Sequence, residues 1–323
     1  MTSRRALAAA APLVLALGLL AGCAAPSPGE APSAGSTRAS SAPAAVEPGA
    51  SASPTPVDDP ALDAALAELE SRYAARVGVS VLDTGSGVLL EHRADERFTY
   101  ASTLKALAAA VLLDRTEPAD LDRVLTWTAA DVEAAGWSPA TGPATATGLT
   151  LGQLAEAAVR ESDNTALNLV LAELGGPAGL DAALAAEGDD VVDVANAEPA
   201  LNRPTPGSTA DTTTAAAFRA DLARIVAGEW LSDDDRATLL GWMGGNATGD
   251  ALVRAGTPEG WTVADKSGGA GPVRNDVAVV TRPGGDPVVV VVLTTRTDPA
   301  AAYDDALVAE AARAALGALA ARG

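Results

Sequence analysis

The chain has 323 residues, 48% of them hydrophobic, which is enough for a large buried core and excludes a wholly disordered protein. Its formal charge is −20, with 42 acidic against 22 basic residues, so we expect no nucleic-acid partner. The chain has a single histidine, His92, and a single cysteine, Cys23. These counts exclude an intrachain disulfide and a zinc site built from several His or Cys residues, and we expect no metal and no cofactor. A Ser-His-Asp triad could use only His92.

The N-terminal residues 1–22 have the features of an export signal. Arg4 and Arg5 precede an apolar stretch, and the small residues of Leu20-Ala21-Gly22-Cys23 close it. This quartet resembles a bacterial lipobox, which implies cleavage before Cys23 and a lipid on its sulfur. An ordinary signal peptide and a membrane-spanning anchor are the alternatives, although the apolar run is short for a bilayer.

Residues 23–57 would then be a lipidated cysteine followed by a tether, because Ala, Pro, Ser, Gly and Thr dominate without an apolar period. We therefore predict an extracytoplasmic protein that is bound to the cell membrane through Cys23 or released from it.

The periodicity of apolar residues predicts the elements of the remaining chain. Asp59-Pro60 begins a helix, alternating valines predict a strand at 77–81, and a second strand is predicted at 88–92 after a turn. Helical spacing then covers 102–114, 150–160, 165–174, 178–186 and 212–227. Strand-like runs follow at 261–266, 277–281 and 288–295, and a last helix is predicted from Asp298-Pro299 to the end.

This order predicts an α+β fold, an α/β-type sandwich with an antiparallel sheet of about five strands built from both chain ends. Residues 58–98 and 246–323 would form a lobe of sheet and flanking helices. Residues 99–245 would form an inserted all-helical lobe, and the active site would lie in the cleft between the two.

Three short motifs carry candidate chemistry. Ser102 and Lys105 are three residues apart in S-x-x-K, so their side chains share a helix face, and a desolvated lysine can activate a serine hydroxyl. Ser162-Asp163-Asn164 lies between two helical runs, and Lys266-Ser267-Gly268 ends a predicted strand before Gly269. Taken singly, these are also consistent with a helix cap, a polar turn and a hairpin. The chain has only two lysines, however, and both fall inside the motifs.

The three motifs together resemble those of class A serine β-lactamases, with Ser267 in place of threonine. The resemblance covers roughly residues 60–323. Glu198-Pro199-Ala200-Leu201-Asn202 matches the E-x-x-L-N of the family's omega loop, here 196–211, and Asp211 closes that loop. The intervals also fit, with 60 residues from Ser102 to Ser162, 36 on to Glu198 and 68 on to Lys266.

The resemblance implies a β-lactam hydrolase, and hence antibiotic resistance, with a role for each matching residue. Ser102 would be acylated, with Lys105 or Glu198 as the base, and Glu198 would activate the deacylating water held by Asn202. Ser162 and Lys266 would relay a proton to the leaving nitrogen. Substrate contacts would come from Asn164, Ser267, Gly268, Gly269, Arg274 and Trp137.

Two departures from the family pattern stand out. Asn196 occupies the position where the family usually has an arginine that pairs with Asp211, so we expect a looser loop unless Arg203 or Arg219 substitutes. The Lys266–Arg274 turn is about one residue shorter than usual.

Asn168 matches a residue that ties the helical lobe to the omega loop.

Two other functions remain open at this stage. A penicillin-binding carboxypeptidase would share the three short motifs but lack the water-activating Glu198. A covalent β-lactam sensor without turnover would be consistent with Asn196. In each case the partner is a small molecule, and we expect a monomer.

Overall fold

The structure, a computed structural model, describes residues 54–322. The predicted signal, Cys23 and nearly all of the predicted tether lie outside these residues. The helices and strands in chain order are α1 Pro60–Tyr73, β1 Ala75–Asp83, β2 Leu89–His92, β3 Arg97–Thr99, α2 Leu104–Arg115, β4 Val124–Leu125, α3 Ala129–Ala135, β5 Leu149–Thr150, α4 Leu151–Arg160, α5 Asn164–Glu173, α6 Pro177–Ala186, β6 Thr212–Thr214, α7 Ala215–Ala227, α8 Asp233–Gly244, α9 Val253–Gly256, β7 Thr262–Ala270, β8 Val273–Thr281, β9 Pro287–Arg296 and α10 Asp305–Ala320.

The main sheet has five strands in the order β2-β1-β9-β8-β7, and every neighbouring pair is antiparallel. Strands from the first part of the described chain therefore pair with strands from its last part, as the sequence predicted. β9 lies at the centre, where its valine run is buried on both faces. The predicted α+β fold with a five-stranded antiparallel sheet is confirmed.

The two faces of the sheet carry different helices, and the alternation of side chains along β9 divides the core. Val288, Val290 and Val292 pack with α1 and α10 on one face. Val289 and Val291 lie on the other face, in the cluster that includes α2, α4, α5 and α7. A side-chain period of two along a strand produces this division.

Two predicted helix boundaries are wrong. The predicted helix at 212–227 begins only at Ala215, because Thr212–Thr214 pairs with β3 as strand β6. The last helix begins at Asp305 rather than Asp298, with Asp304 as its N-cap. The segment before it is held by the β7–β8 hairpin, since the Tyr303 amide donates to the Gly271 carbonyl (2.9 Å).

Among residues 54–322, no single helix is both long and apolar enough to cross a membrane. The bent pair α5–α6 meets that requirement only when its two helices are taken together.

Candidate active site

Ser102 lies in a tight turn rather than in a regular helix. A 3-10 turn over Ala101–Thr103 connects β3 to α2. Ala101 has a left-handed backbone (φ 48°), which costs a residue with a Cβ atom about 1–2 kcal/mol. The Thr103 hydroxyl donates to the carbonyl oxygen of Tyr100 (2.7 Å) and stabilises the turn. Ser102 thus lies just before α2, where it lines a cleft.

Lys105 is fully buried at the centre of the site. Its Nζ lies 2.9 Å from the Ser102 hydroxyl and 3.1 Å from Glu198 Oε1. It also donates to the carbonyl oxygen of Ser162 (2.8 Å) and to Asn164 Oδ1 (2.6 Å). The ammonium is therefore surrounded by oxygen acceptors from Ser102, from the Ser162–Asn164 motif and from Glu198.

Burial lowers the pKa of the Lys105 ammonium below its ordinary value, and the neighbouring Glu198 carboxylate opposes this shift. A lysine whose pKa is lowered can accept the proton of a serine hydroxyl. Glu198 Oε1 is 3.4 Å from Ser102 Oγ, so the carboxylate also reaches the nucleophile. The geometry therefore allows either Lys105 or Glu198 to accept the proton.

The Ser162-Asp163-Asn164 motif forms the start of α5. Asp163 is the N-cap, and its carboxylate also accepts the amide of Thr141 (2.9 Å). Ser162 has a left-handed backbone (φ 56°), the kind of strain that persists only where surrounding contacts hold it. Its hydroxyl lies 3.3 Å from Lys105 Nζ and 3.2 Å from Lys266 Nζ, between the two lysines.

Lys266, Ser267 and Gly268 lie inside β7, which continues to Ala270, so the prediction that this motif ends the strand is wrong. The β7–β8 register pairs Ala270 with Val273, which leaves a turn of two residues between the strands. Burial, and next the charge of Lys105, together lower the pKa of Lys266 to about 7.

Gly268 brings β7 against the nucleophile turn. A Cβ atom at this position would lie 2.9 Å from the Tyr100 carbonyl oxygen and 3.0 Å from the Thr103 nitrogen. Only a glycine allows the strand and the turn to approach this closely. From the other side, the Asn275 amide donates to the carbonyl oxygen of Thr99 (2.8 Å) and fastens the same turn to β8.

Glu198 is held by three contacts from its surroundings. Asn168 on α5 accepts a hydrogen bond from the Glu198 amide and donates one to the Glu198 carbonyl, both at 2.9 Å, as the family resemblance implied. Asn202 Nδ2 donates to Glu198 Oε2 (2.5 Å). One carboxylate oxygen therefore contacts Asn202 while the other contacts Lys105 and Ser102.

Asn196 does not leave the omega loop loose, although we expected that it would. Its side-chain amide donates to Asp211 Oδ2 (2.6 Å), and this hydrogen bond takes the place of the ion pair that an arginine usually makes with Asp211 in the family. Neither arginine that we considered substitutes: Arg219 binds Ser80 (3.2 Å), and Arg203 is exposed.

The cleft has a volume of about 400 Å³. It is lined by Ser102, Trp137, Ser162, Asn164, Asn202, Thr248, Ser267, Gly269, Arg274 and Tyr303. Trp137 is 62% exposed at its rim. Arg274 donates through Nε to Asp305 (2.6 Å), and its guanidinium lies over the Tyr303 ring. Thr248 and Tyr303 could not be predicted from the sequence, because neither belongs to a motif and only long-range packing brings them to the cleft.

His92 does not take part in this site. It lies on β2, where its Nδ1 is 2.8 Å from Asp63 Oδ1 of α1. Among residues 54–322 there is no group of three or more His, Cys, Asp or Glu side chains arranged to hold a metal ion.

The site combines a serine hydroxyl, a buried amine and a carboxylate within hydrogen-bonding distance of both, which defines an acyl-transfer site with a serine nucleophile on an α+β fold. Comparison with known proteins identifies the family. The profile of the Beta-lactamase enzyme family matches residues 61–319, and the chain belongs to this family.

Similar proteins cover most of the chain. A β-lactamase from Amycolatopsis lactamdurans is 48% identical over 84% of this chain and 89% of its own length. One from Bacillus licheniformis is 44% identical over 78% and 82%. The crystal structure of the class A β-lactamase from Clostridium kluyveri has a TM-score of 0.77 at 38% identity, covering 80% of this chain and 98% of the other. The β-lactamase structure from Streptomyces albus G has the same TM-score at 40% identity, with the same two coverages.

Proposed function

We propose that this protein is a class A serine β-lactamase, a hydrolase that opens the cyclic amide of β-lactams through a serine ester. The observation that carries the proposal is the triangle of Ser102 Oγ, Lys105 Nζ and Glu198 Oε1, with separations of 2.9, 3.1 and 3.4 Å. A hydroxyl needs an adjacent base to become a nucleophile, and an ester needs an activated water to be released. The triangle therefore places the groups needed to activate the hydroxyl and to release the ester within hydrogen-bonding distance of Ser102 Oγ.

Acylation begins when Ser102 Oγ attacks the lactam carbonyl and its proton passes to Lys105 or, through a water, to Glu198. The C–N bond then breaks, and the nitrogen receives a proton from the Ser162 hydroxyl, which regains one from Lys105 or Lys266 on either side of it. The amides of Ser102 and Gly269 would stabilise the oxyanion; removing one such donor typically costs about 10²–10³ in rate.

Deacylation is the step assigned to Glu198. Asn168 holds the backbone of Glu198, and Asn202 holds its carboxylate, which would take a proton from a water that attacks the ester carbonyl. The proton then returns to Ser102 Oγ as the ester bond breaks, and the enzyme is restored.

The substrate would be anchored at both ends of the cleft. Asn164 and Trp137 border the side where an acylamide group would lie. Ser267, Arg274 and Lys266 would bind the carboxylate that β-lactams carry next to the ring. A cationic guanidinium that is only 12% exposed suits an anionic ligand in a protein of charge −20.

Steady-state hydrolysis of a chromogenic cephalosporin tests the activity, and Ser102→Ala should abolish it. Glu198→Ala should accumulate an acyl adduct that intact-mass spectrometry detects. Release of one equivalent of product followed by silence in the wild type would instead indicate a sensor. Release of terminal D-Ala from a peptide, with slow recovery from penicillin, would indicate a carboxypeptidase.

We also propose that the mature protein is a membrane-anchored lipoprotein on the extracytoplasmic side and acts as a monomer. Support for the lipid anchor comes from the Leu20-Ala21-Gly22-Cys23 quartet, the uniqueness of Cys23 and the composition of residues 24–57. In a bacterial host, Cys23→Ser should move the protein out of the membrane fraction. Retention of that variant in the membrane would contradict lipid attachment.

A further inference from the structure

A chain of hydrogen bonds outside the catalytic motifs ends at Ser267. The Thr248 and Ser267 hydroxyl oxygens are 2.6 Å apart, and both residues line the cleft. The Thr248 hydroxyl is also 2.8 Å from Asn246 Oδ1. Asn246 in turn donates through Nδ2 to Asp265 Oδ2 (2.5 Å), and Asp265 accepts Arg254 Nε (2.6 Å) on its other oxygen. Ser267 is thus connected to a buried, charge-paired anchor.

The positions of the protons follow from the donors and acceptors in this chain. Because Asn246 Nδ2 faces a carboxylate, its Oδ1 faces Thr248, where it accepts the backbone amide (3.0 Å) and the hydroxyl. A threonine hydroxyl has one hydrogen, and here that hydrogen points to Asn246. The Thr248 oxygen can therefore only accept from Ser267. In this arrangement Ser267 directs its single hydrogen away from any anion in the cleft.

We propose that Thr248 is a positioning residue whose hydroxyl lets Ser267 reverse its hydrogen bond when a substrate carboxylate enters. The Ser267 O–H rotates from Thr248 to the carboxylate, and the Thr248 O–H rotates from Asn246 to the freed Ser267 oxygen. No proton is transferred and no covalent bond changes. Asn246 Oδ1 keeps the Thr248 backbone amide, so no buried acceptor loses its last partner. The inference rests on the carboxylate contact proposed above for Ser267.

The surroundings fit a chain with a fixed anchor and a movable end. A Cβ atom on Gly249 would lie 1.8 Å from Asp265 Oδ2 and 2.7 Å from Asn246 Nδ2, so glycine is required for this close approach. Thr248, by contrast, is partly exposed to the cleft, and its carbonyl oxygen lies 3.5 Å from Arg274 Nη2. Thr248 therefore touches two of the groups that would hold the carboxylate.

Thr248→Val tests the proposal, because valine keeps the shape and removes the hydroxyl. We expect KM for a penicillin to rise about three- to tenfold, the range of one lost hydrogen bond, with a smaller change in kcat. Thr248→Ser, which restores the hydroxyl, should recover most of the loss. The effect should disappear for the methyl ester of the same penicillin, which has no carboxylate charge. Circular dichroism and thermal melting check that each variant is folded.

The Ser267→Ala variant separates the possible failures. If Ser267→Ala leaves KM unchanged, the proposed carboxylate contact of Ser267 is wrong, and the inference fails with it. If Ser267→Ala raises KM while Thr248→Val behaves as wild type, only the inference fails. In the Ser267→Ala background Thr248→Val should have no further effect. A further rise in KM there would mean that Thr248 contacts the carboxylate itself, which would overturn the positioning role.

Discussion

Asn196 and Asp211 close the loop that carries Glu198 through a side-chain hydrogen bond of 2.6 Å. Asp211 also accepts the amide of Asn196 (3.0 Å) and the hydroxyl of Tyr100 (2.8 Å), so one carboxylate joins the two ends of the loop to the nucleophile turn. Burial, together with Asp211, raises the pKa of the Tyr100 hydroxyl, which keeps it a donor. A neutral amide is therefore able to close this loop without a second charge.

We expect Asn196→Ala to slow deacylation more than acylation. The substitution removes the partner of Asp211 Oδ2, at a cost of about 1.5–3 kcal/mol for a hydrogen bond to a charged group. The freed loop would misplace Glu198, so an acyl adduct should accumulate in quenched-flow samples analysed by mass spectrometry. Thr205→Ala, at an exposed position of the same loop, is the control. Equal losses in both steps would show that the hydrogen bond does not act through Glu198.

Gly268→Ala should reduce activity far more than stability. Its Cβ atom would meet backbone atoms of Tyr100 and Thr103 at 2.9 and 3.0 Å, and these cannot yield without moving the turn that holds Ser102. We expect kcat/KM to fall about 10²-fold, because small misplacements of a reacting group have effects of this size. Steady-state kinetics and thermal melting measure the two effects.

The matched control is Gly317→Ala in α10, where a Cβ atom meets nothing within 4 Å. Removing a helical glycine should raise stability by about 0.5–1 kcal/mol and leave kinetics unchanged. If Gly268→Ala lost stability in proportion to activity, the close approach would be a general packing constraint rather than a constraint on the nucleophile.

The sequence predicts the elements whose signal is local. The Val77–Val81 alternation and the valine run of β9 correctly predict central strands, because burial on a sheet face imposes that pattern. Asp298-Pro299 has the local signature of a helix start, but the tertiary bond from Tyr303 to Gly271 delays the helix to Asp305. The local signal is overridden there by a contact between residues distant in sequence.

The candidate active site shows the same difference between local sequence signals and contacts between residues distant in sequence. The motif residues could be found because their types and spacing are constrained by chemistry, and the structure brings Ser102, Lys105, Ser162 and Glu198 together. Thr248 lies 19 residues from Ser267, in the loop after α8, and nothing in its neighbourhood marks it. The closure by Asn196 was also not predicted, since the sequence shows the absence of an arginine but not the geometry that an amide can reach.

Asp221 should make the protein less stable as pH rises. It is 3% exposed on α7, and burial, with Asp189 beside it, raises its pKa well above the ordinary 3.8. The unfolded chain then releases this proton at a lower pH than the folded protein, so the unfolded state binds fewer protons above about pH 4. The contribution of Asp221 to stability therefore falls as pH rises from about 4 towards the raised pKa that Asp221 has in the folded protein.

Asp221→Asn removes this titration. The stability gained over wild type should grow with pH, by up to about 1.4 kcal/mol per unit within that window. Urea unfolding at a series of pH values measures the difference, with Glu259→Gln at an exposed position as the control. Parallel curves for wild type and Asp221→Asn would mean that the carboxyl is ionised in the folded protein.

Lys266 should make substrate affinity pH-dependent near neutrality. Its buried Nζ has a pKa lowered to about 7 by burial and by Lys105, so the free enzyme loses this charge as pH rises through that value. If the charged form binds the substrate carboxylate, KM should rise about tenfold between pH 6 and pH 8. The deprotonation of Lys266 has the opposite effect on stability, which increases with pH. The unfolded lysine keeps its proton up to its ordinary 10.5, so the stability contribution increases from about pH 7 to that value.

Lys266→Arg distinguishes this charge effect from other titrations, because arginine stays protonated throughout. Its KM for a penicillin should be nearly constant over the range in which the wild-type KM rises. The penicillin methyl ester should show no rise with either enzyme, since it carries no carboxylate for Lys266 to attract. A wild-type rise that persists unchanged in Lys266→Arg would assign the titration to another group, of which Lys105, with its lowered pKa and its 2.9 Å contact to Ser102, is the first to test.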